Sequence, residues 1–94
     1  MHSVQWLKRA LNDRDAIVSY IADELFNPMA AIDFGDTVEK SVDLISKTGT
    51  LFRQGKVPGT FEHVLTPTYV LVYRIRKRAK RMEILRILQT RGMK

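Results

Sequence analysis

Cysteine is entirely absent from the chain. That excludes a disulfide scaffold, a thiolate zinc site and a cysteine nucleophile. Histidine is nearly as scarce. His2 and His63 lie far apart in the sequence, so no metal site is expected, and no other cofactor is implied. No apolar run approaches the roughly 18 residues of a membrane span. The start, Met1-His2-Ser3-Val4-Gln5-Trp6-Leu7-Lys8, lacks the charged head and apolar run of a signal peptide. The expectation is a soluble cytoplasmic protein with no membrane partner. Glycine and proline number only 5 and 3. Gly55 and Gly59 flank Lys56-Val57-Pro58 with no Gly-Lys-Ser/Thr after them, so no phosphate-cradling loop is present. Ser3, Ser19, Ser41 and Ser46 stand in no nucleophile elbow. Asp13, Asp15, Asp23, Glu24, Asp33, Asp36, Glu39 and Asp43 read as solvated helix faces, and no two form a catalytic or metal-binding pair.

What is present suits a globular protein. The 94 residues are 45% apolar, enough for one core, and are read as a single domain spanning residues 1–94. The net charge is +6 and is unevenly spread. Residues 74–94 hold nine basic groups against one acid, Glu83, a net of +8; residues 1–73 hold seven against nine, a net of −2. A local basic segment points to an anionic partner more strongly than net charge does.

The periodicity reads in the order β-α-α-β-β-β. Val4 and Trp6 alternate in a short strand over Ser3–Leu7. A first helix follows, with Asn12-Asp13 or Asp15 as its N-terminal acids and Ile17, Tyr20, Ile21 and Leu25 as its apolar stripe, ending near Phe26. Asn27 and Pro28 then cap and start a second helix, in which Ala31, Phe34, Val38, Val42 and Ile45 make one stripe. Gly49 closes it. A loop from Leu51 to Gly59 leads to strands over Phe61–Leu65, Tyr69–Ile75 and Met82–Leu88, the last two joined by a charged turn. The fold class is α+β, a helical hairpin on one face of a small, mainly antiparallel sheet. The last two strands are apolar on both faces, with Met82, Ile84 and Leu88 set opposite Leu85 and Ile87. Because two helices cover only one face, the other is expected to expose an apolar patch fit for a partner.

The remaining chemistry rests on arginine, lysine, tyrosine and one histidine. Such a set can hold a phosphate backbone. It can also cleave RNA without metal, with Arg74, Arg86 and Arg91 stabilising phosphorane charge and His63 moving protons.

Several segments, taken in order, resemble the RelE/ParE superfamily of bacterial toxins. They are Trp6-Leu7, Asp15–Ala22, Asn27-Pro28-Met29-Ala30-Ala31, Gly55–Thr60, Tyr69–Ile75 and Ile84–Leu88. The resemblance implies a toxin silenced by a cognate antitoxin whose C-terminal segment wraps over it. Tyr69, Leu71, Tyr73, Met82, Ile84 and Leu88 are the residues expected to receive that segment. ParE-type members of the superfamily poison DNA gyrase, and RelE-type members cut mRNA on the ribosome. Leu65 stands where an RNA-cutting member would carry arginine, Phe61 follows Pro-Gly-Thr where many close relatives have arginine, and no tyrosine follows Arg91. Tyr20-Ile21-Ala22 and Asn27-Pro28 look more like the ParE branch. Gyrase is therefore the expected target and ribosome-bound mRNA the alternative. The residues expected to carry target binding and toxicity are Arg74, Arg76, Lys77, Arg78, Lys80, Arg81, Arg86 and above all Arg91.

Overall fold

The computed structural model describes residues 1–90; Arg91, on which an expectation rests, lies outside them. The elements run β1 (Ser3–Trp6), α1 (Lys8–Ser19), a π-helical turn (Tyr20–Glu24), α2 (Pro28–Thr48), β2 (Arg53–Gln54), β3 (Phe61–Val64), β4 (Tyr69–Arg76) and β5 (Arg81–Gln89). This is the α+β order expected, with the two-residue β2 added. The sheet order is β1-β5-β4-β3-β2. β1 pairs with β5 in parallel, and the remaining pairs are antiparallel.

α2 forms where its capping residues dictate. Asn27 Oδ1 accepts the Ala30 N–H at 3.0 Å, and Pro28 takes the first position, where no amide donor is required. At the other end Gly49 adopts φ 68° and gives its N–H to the Ile45 carbonyl, a left-handed C-cap open to glycine. The whole stripe of Ala31, Phe34, Val38, Val42 and Ile45 is buried.

α1 begins at Lys8, earlier than Asn12–Asp15 suggested, and Leu7 at its N-cap makes no side-chain cap. Tertiary pairing sets this start: the Leu7 N–H donates to the Ile84 carbonyl at 3.0 Å, so the chain leaves β1 directly into a helical turn. Ile17 and Ile21 pack on the core. Tyr20 and Leu25, expected on the same stripe, are 48% and 54% exposed. The π-helical turn has one more residue per hydrogen-bonded ring than an α-turn, which swings the following side chains around the axis.

The helices cover one sheet face. Phe34 meets Tyr69 edge to face, with centroids 5.3 Å apart. Leu71, Tyr73, Met82, Ile84 and Ile87 complete the core beneath. A β-bulge decides which β5 residues face the helices. Val72 pairs with Arg86 but Tyr73 pairs with Ile84, so Leu85 is the extra residue. One inserted residue reverses the alternation beyond it. Ile87 therefore joins Met82 and Ile84 on the helix side, while Leu88 pairs with Val70 on the other, which corrects the assignment of Leu88 and Ile87 made from strict alternation.

The β4–β5 turn closes with Lys80 in a left-handed conformation, φ 48°. A residue with a Cβ is strained there by about 1 kcal/mol. Lys80→Gly is accordingly expected to raise Tm by a few degrees, measured by thermal unfolding.

Candidate functional site

The face opposite the helices, where an apolar patch was expected, is divided: its hairpin end is charged, and at its other end Val64 and Leu88 lie on either side of Val70, with Val64 47% exposed. Cross-strand pairing places Arg74 opposite Glu83 and Arg76 opposite Arg81. Glu83 is 5% exposed and gathers all three arginines: Arg74 Nε–H donates to Oε1, Arg76 Nε–H to Oε1 at 3.2 Å and Arg81 Nε–H to Oε2 at 3.1 Å. The hydrogen bond from Arg74, reinforced by those from Arg76 and Arg81, holds the Glu83 carboxyl below its ordinary value of 4.5 against the opposing effect of burial. A second buried acid, Glu62, accepts from Arg53 Nε–H at 3.0 Å. Val72, partly buried, lies opposite Glu62, and beyond it the buried Val70 sits between Val64 and Leu88. Ion pairs thus hold the hairpin end and middle of this face, and apolar side chains its other end.

Glu83 ties stability to pH. Its folded pKa lies below its unfolded one, so its contribution is complete above the ordinary value and is lost as pH falls through the folded pKa. Tm is expected to fall more steeply in acid for the native chain than for Glu83→Gln. The variant starts lower at pH 7, and the two curves converge in acid.

Arg86 points to another partner. Its Nε–H and Nη2–H donate to Asp13 Oδ2 and Oδ1 at 2.7 and 3.1 Å, and Oδ2 also accepts the Ile87 N–H at 3.0 Å. Asp13 is therefore no solvated helix acid. It clasps α1 to the edge of β5 beyond the end of β1, satisfying an amide that has no strand partner there. The hydrogen bonds that Arg86 donates to Asp13 push its guanidinium pKa up.

His63 stands apart from these arginines. It pairs with Leu71, whose side chain lies in the helix-side core. Its ring sits 4.2 Å from that of Phe52, and burial lowers its pKa, favouring the neutral imidazole. The four residues named for RNA cleavage are thus not brought together: His63 is on one face, Arg74 and Arg86 are on the other with carboxylate partners, and Arg91 is beyond the described residues.

The residues expected to receive an antitoxin need correcting too. Tyr69, Leu71, Tyr73, Met82 and Ile84 are at most 8% exposed; the helices already cover them, and only Leu88 is half-exposed. Exposed apolar side chains instead collect around the turn between the helices: Tyr20, Leu25, Phe26, Met29 and Ile32, with Phe26 87% exposed. Two hollows adjoin there. One, of about 370 Å³, runs between Ala16, Ile17 and the Ile87–Gln89 end of β5. The other, of about 530 Å³, lies among Tyr20, Leu25, Ala30, Phe34 and Thr68. Tyr20, Tyr69 and Gln89 line both.

Gly55–Thr60, a segment that carried the family resemblance, is a structural loop. The Gly55 N–H donates to the Thr60 carbonyl at 2.8 Å and the Thr60 hydroxyl to Val57 O at 2.6 Å. A Cβ at Gly55 would collide with that hydroxyl. Of the site residues missed in the sequence, Glu83 had a signal, since counting outward from the charged turn sets it across from Arg74. Asp13 had none, because its partners are far along the chain.

Among the described residues no helix is long and apolar enough to cross a membrane. No curated protein sequence matches the chain. In structure it is similar to a chain of the chromosomal ParDE toxin–antitoxin system of P. aeruginosa, with a TM-score of 0.80 and 25% identity over 95% of this chain and 96% of that one. It shares its fold with a YoeB/ParE toxin from Agrobacterium tumefaciens, TM-score 0.66 at 14% identity, over 93% and 97% of the two chains. Residues 4–93 match the family described as the ParE toxin of the type II toxin–antitoxin system parDE. With nearly its whole length so matched, the chain belongs to the ParE toxin family of type II toxin–antitoxin systems.

Proposed function

We propose that this toxin arrests growth by binding and poisoning DNA gyrase in the cytoplasm, without performing chemistry itself, and that a cognate antitoxin neutralises it. The separation of His63 from the arginine face carries this reading. Cleavage of RNA requires a base for the 2′-OH, an acid for the 5′-oxygen and cations at the phosphorane within one site. Here the imidazole stacks on Phe52, on the opposite side of the sheet from Arg74 and Arg86. Leu65, where RNA-cutting members carry arginine, and Phe61, where many close relatives carry one, pack on the core, so neither supplies charge.

The antitoxin would lie along the hollows beside Tyr20 and over the apolar turn of the helical hairpin, in place of the sheet residues first expected. An amphipathic segment would bury Leu25, Phe26, Met29 and Ile32 there, and its acidic groups would meet the arginines of the sheet. The P. aeruginosa relative belongs to a two-component toxin–antitoxin system, which supports such a partner. Ribosome-dependent mRNA cleavage, the alternative target chemistry, would draw on the same basic segment.

Purified toxin, added to gyrase and relaxed plasmid, is expected to block supercoiling and to accumulate cleaved DNA at about micromolar concentration, with full relief by antitoxin. Unchanged supercoiling and no cleaved DNA would refute the proposal.

A further inference from the structure

We propose that the β4–β5 hairpin is a binding element for duplex DNA, so that this chain engages a phosphodiester backbone directly and not only a protein target. The hairpin end from Arg74 to Arg81 carries six cations and no acid. Three of them, Arg74, Arg76 and Arg81, give only their Nε–H groups to Glu83. Their terminal Nη groups make no hydrogen bond among the described residues. Glu83 thus acts as a positioning residue. It orders three guanidinium forks on one sheet face and leaves the donors that suit phosphate oxygens turned elsewhere. The other three, Lys77, Arg78 and Lys80, form the turn and are exposed, with no carboxylate partner among the described residues.

This end of the hairpin is held in place. The Lys80 carbonyl accepts the Ser3 N–H at 2.9 Å, and β1 runs beside Arg81–Ile84. On the other side β3 pairs with β4 only as far as Tyr73, so the edge at Arg74–Arg76 is open. Lys80 also keeps a strained left-handed conformation, φ 48°, where glycine would be relaxed. A cation thus stands at a position that stability alone would give to glycine.

The chemistry favours one class of polyanion. Because β1 flanks Arg81–Ile84, the part free to enter a groove is the Lys77–Lys80 turn with the Arg74–Arg76 edge; its side chains fit the B-DNA major groove, about 12 Å wide, whereas the deep, narrow major groove of A-form RNA does not admit them. Residues 74–83 contain no aromatic side chain, so they lack the aromatic platform on which single-stranded bases stack most strongly. Backbone contacts of this kind position a protein on DNA without reading sequence.

The test uses the purified chain and a fluorescent DNA duplex of random sequence, read by anisotropy across a salt series. No gyrase is present, so the outcome does not depend on the gyrase reading, and either can fail alone. With four to five phosphates neutralised, affinity is expected to fall about 150- to 500-fold between roughly 50 and 200 mM salt. The combined variant Lys77→Ala, Arg78→Ala, Lys80→Gly is expected to bind at least tenfold more weakly at low salt. Its log–log slope should be shallower by about 2 to 3. Its Tm should not fall, because the glycine relaxes the turn. A charge-matched variant, Lys40→Ala, Lys47→Ala, Lys56→Ala, should bind within about threefold of the native chain. Absence of duplex binding at low salt would overturn the proposal, as would equal loss in both variants. Tighter binding of poly-glutamate than of duplex, with the same dependence on the hairpin cations, would also overturn it and make the partner an acidic polypeptide.

Discussion

Asp13→Ala is expected to lower the stability of the fold by about 3 kcal/mol, a drop in Tm of about 15 °C for a domain of this size. The carboxylate holds both the Arg86 fork and the Ile87 N–H. Its removal leaves a half-buried guanidinium and an edge amide without partners, and the penalty for stranding such groups exceeds the gain from making them. Asp15, two residues along the same helix, provides the control. Among the described residues its one polar side-chain partner is Arg14, at 3.4 Å, with its side chain 72% exposed, and exposed pairs of this kind contribute at most about 1 kcal/mol. Asp15→Ala should therefore move Tm by no more than a few degrees. Thermal unfolding of the two variants side by side decides the matter. Equal, small shifts would show that the Asp13 clasp is not what joins α1 to β5.

Tyr73→Phe is expected to cost about 2 kcal/mol although it removes one oxygen atom and leaves the ring in place. Tyr73 is fully buried. Its hydroxyl donates to the Thr50 carbonyl at 2.7 Å and accepts the Phe52 N–H at 3.1 Å. It thereby fastens the segment that leaves α2 to the centre of the sheet. Burial raises the phenol pKa, so the hydroxyl stays protonated and keeps its donor. Hydrogen exchange gives the local reading. The Phe52 amide should lose protection in the variant by more than amides in β4 and β5. Uniform loss across the sheet would mean that the change acts on the whole core and not on this tie.

Local chemistry was enough to read some of this from the residues. Asn27-Pro28 and Gly49 mark both ends of α2, because capping is a property of the residues at the cap. The β-branched and aromatic run Tyr69–Ile75 likewise became β4 within one residue. What escaped depends on partners distant in sequence. α1 starts at Lys8 because a backbone bond to Ile84 turns the chain there, and no residue in the helix announces it. β2 is two residues long and has no pattern to show. The bulge at Leu85 leaves no mark in a run where every residue but Arg86 is apolar, yet it decides that Ile87 is core and Leu88 is not.

The site shows the same division. The basic character of residues 74–81 was plain from composition. That Glu83 sits buried beneath three of those arginines needed the register. The antitoxin surface expected on the strands is covered for a related reason: Tyr69, Leu71 and Tyr73 are what the helices rest on. A cluster of exposed apolar side chains stands instead at the helical turn, where the π-helical turn ends and Phe26 takes φ 50°.

The central claim is that this toxin binds its target and cuts nothing. Its most direct test is to induce the toxin without antitoxin and map, in the same cells, gyrase-linked DNA breaks and new mRNA 5′ ends. The account predicts that gyrase-linked breaks accumulate while the 5′ ends of translated mRNA stay unchanged. New 5′ ends within translated codons, with no gyrase-linked breaks, would contradict it.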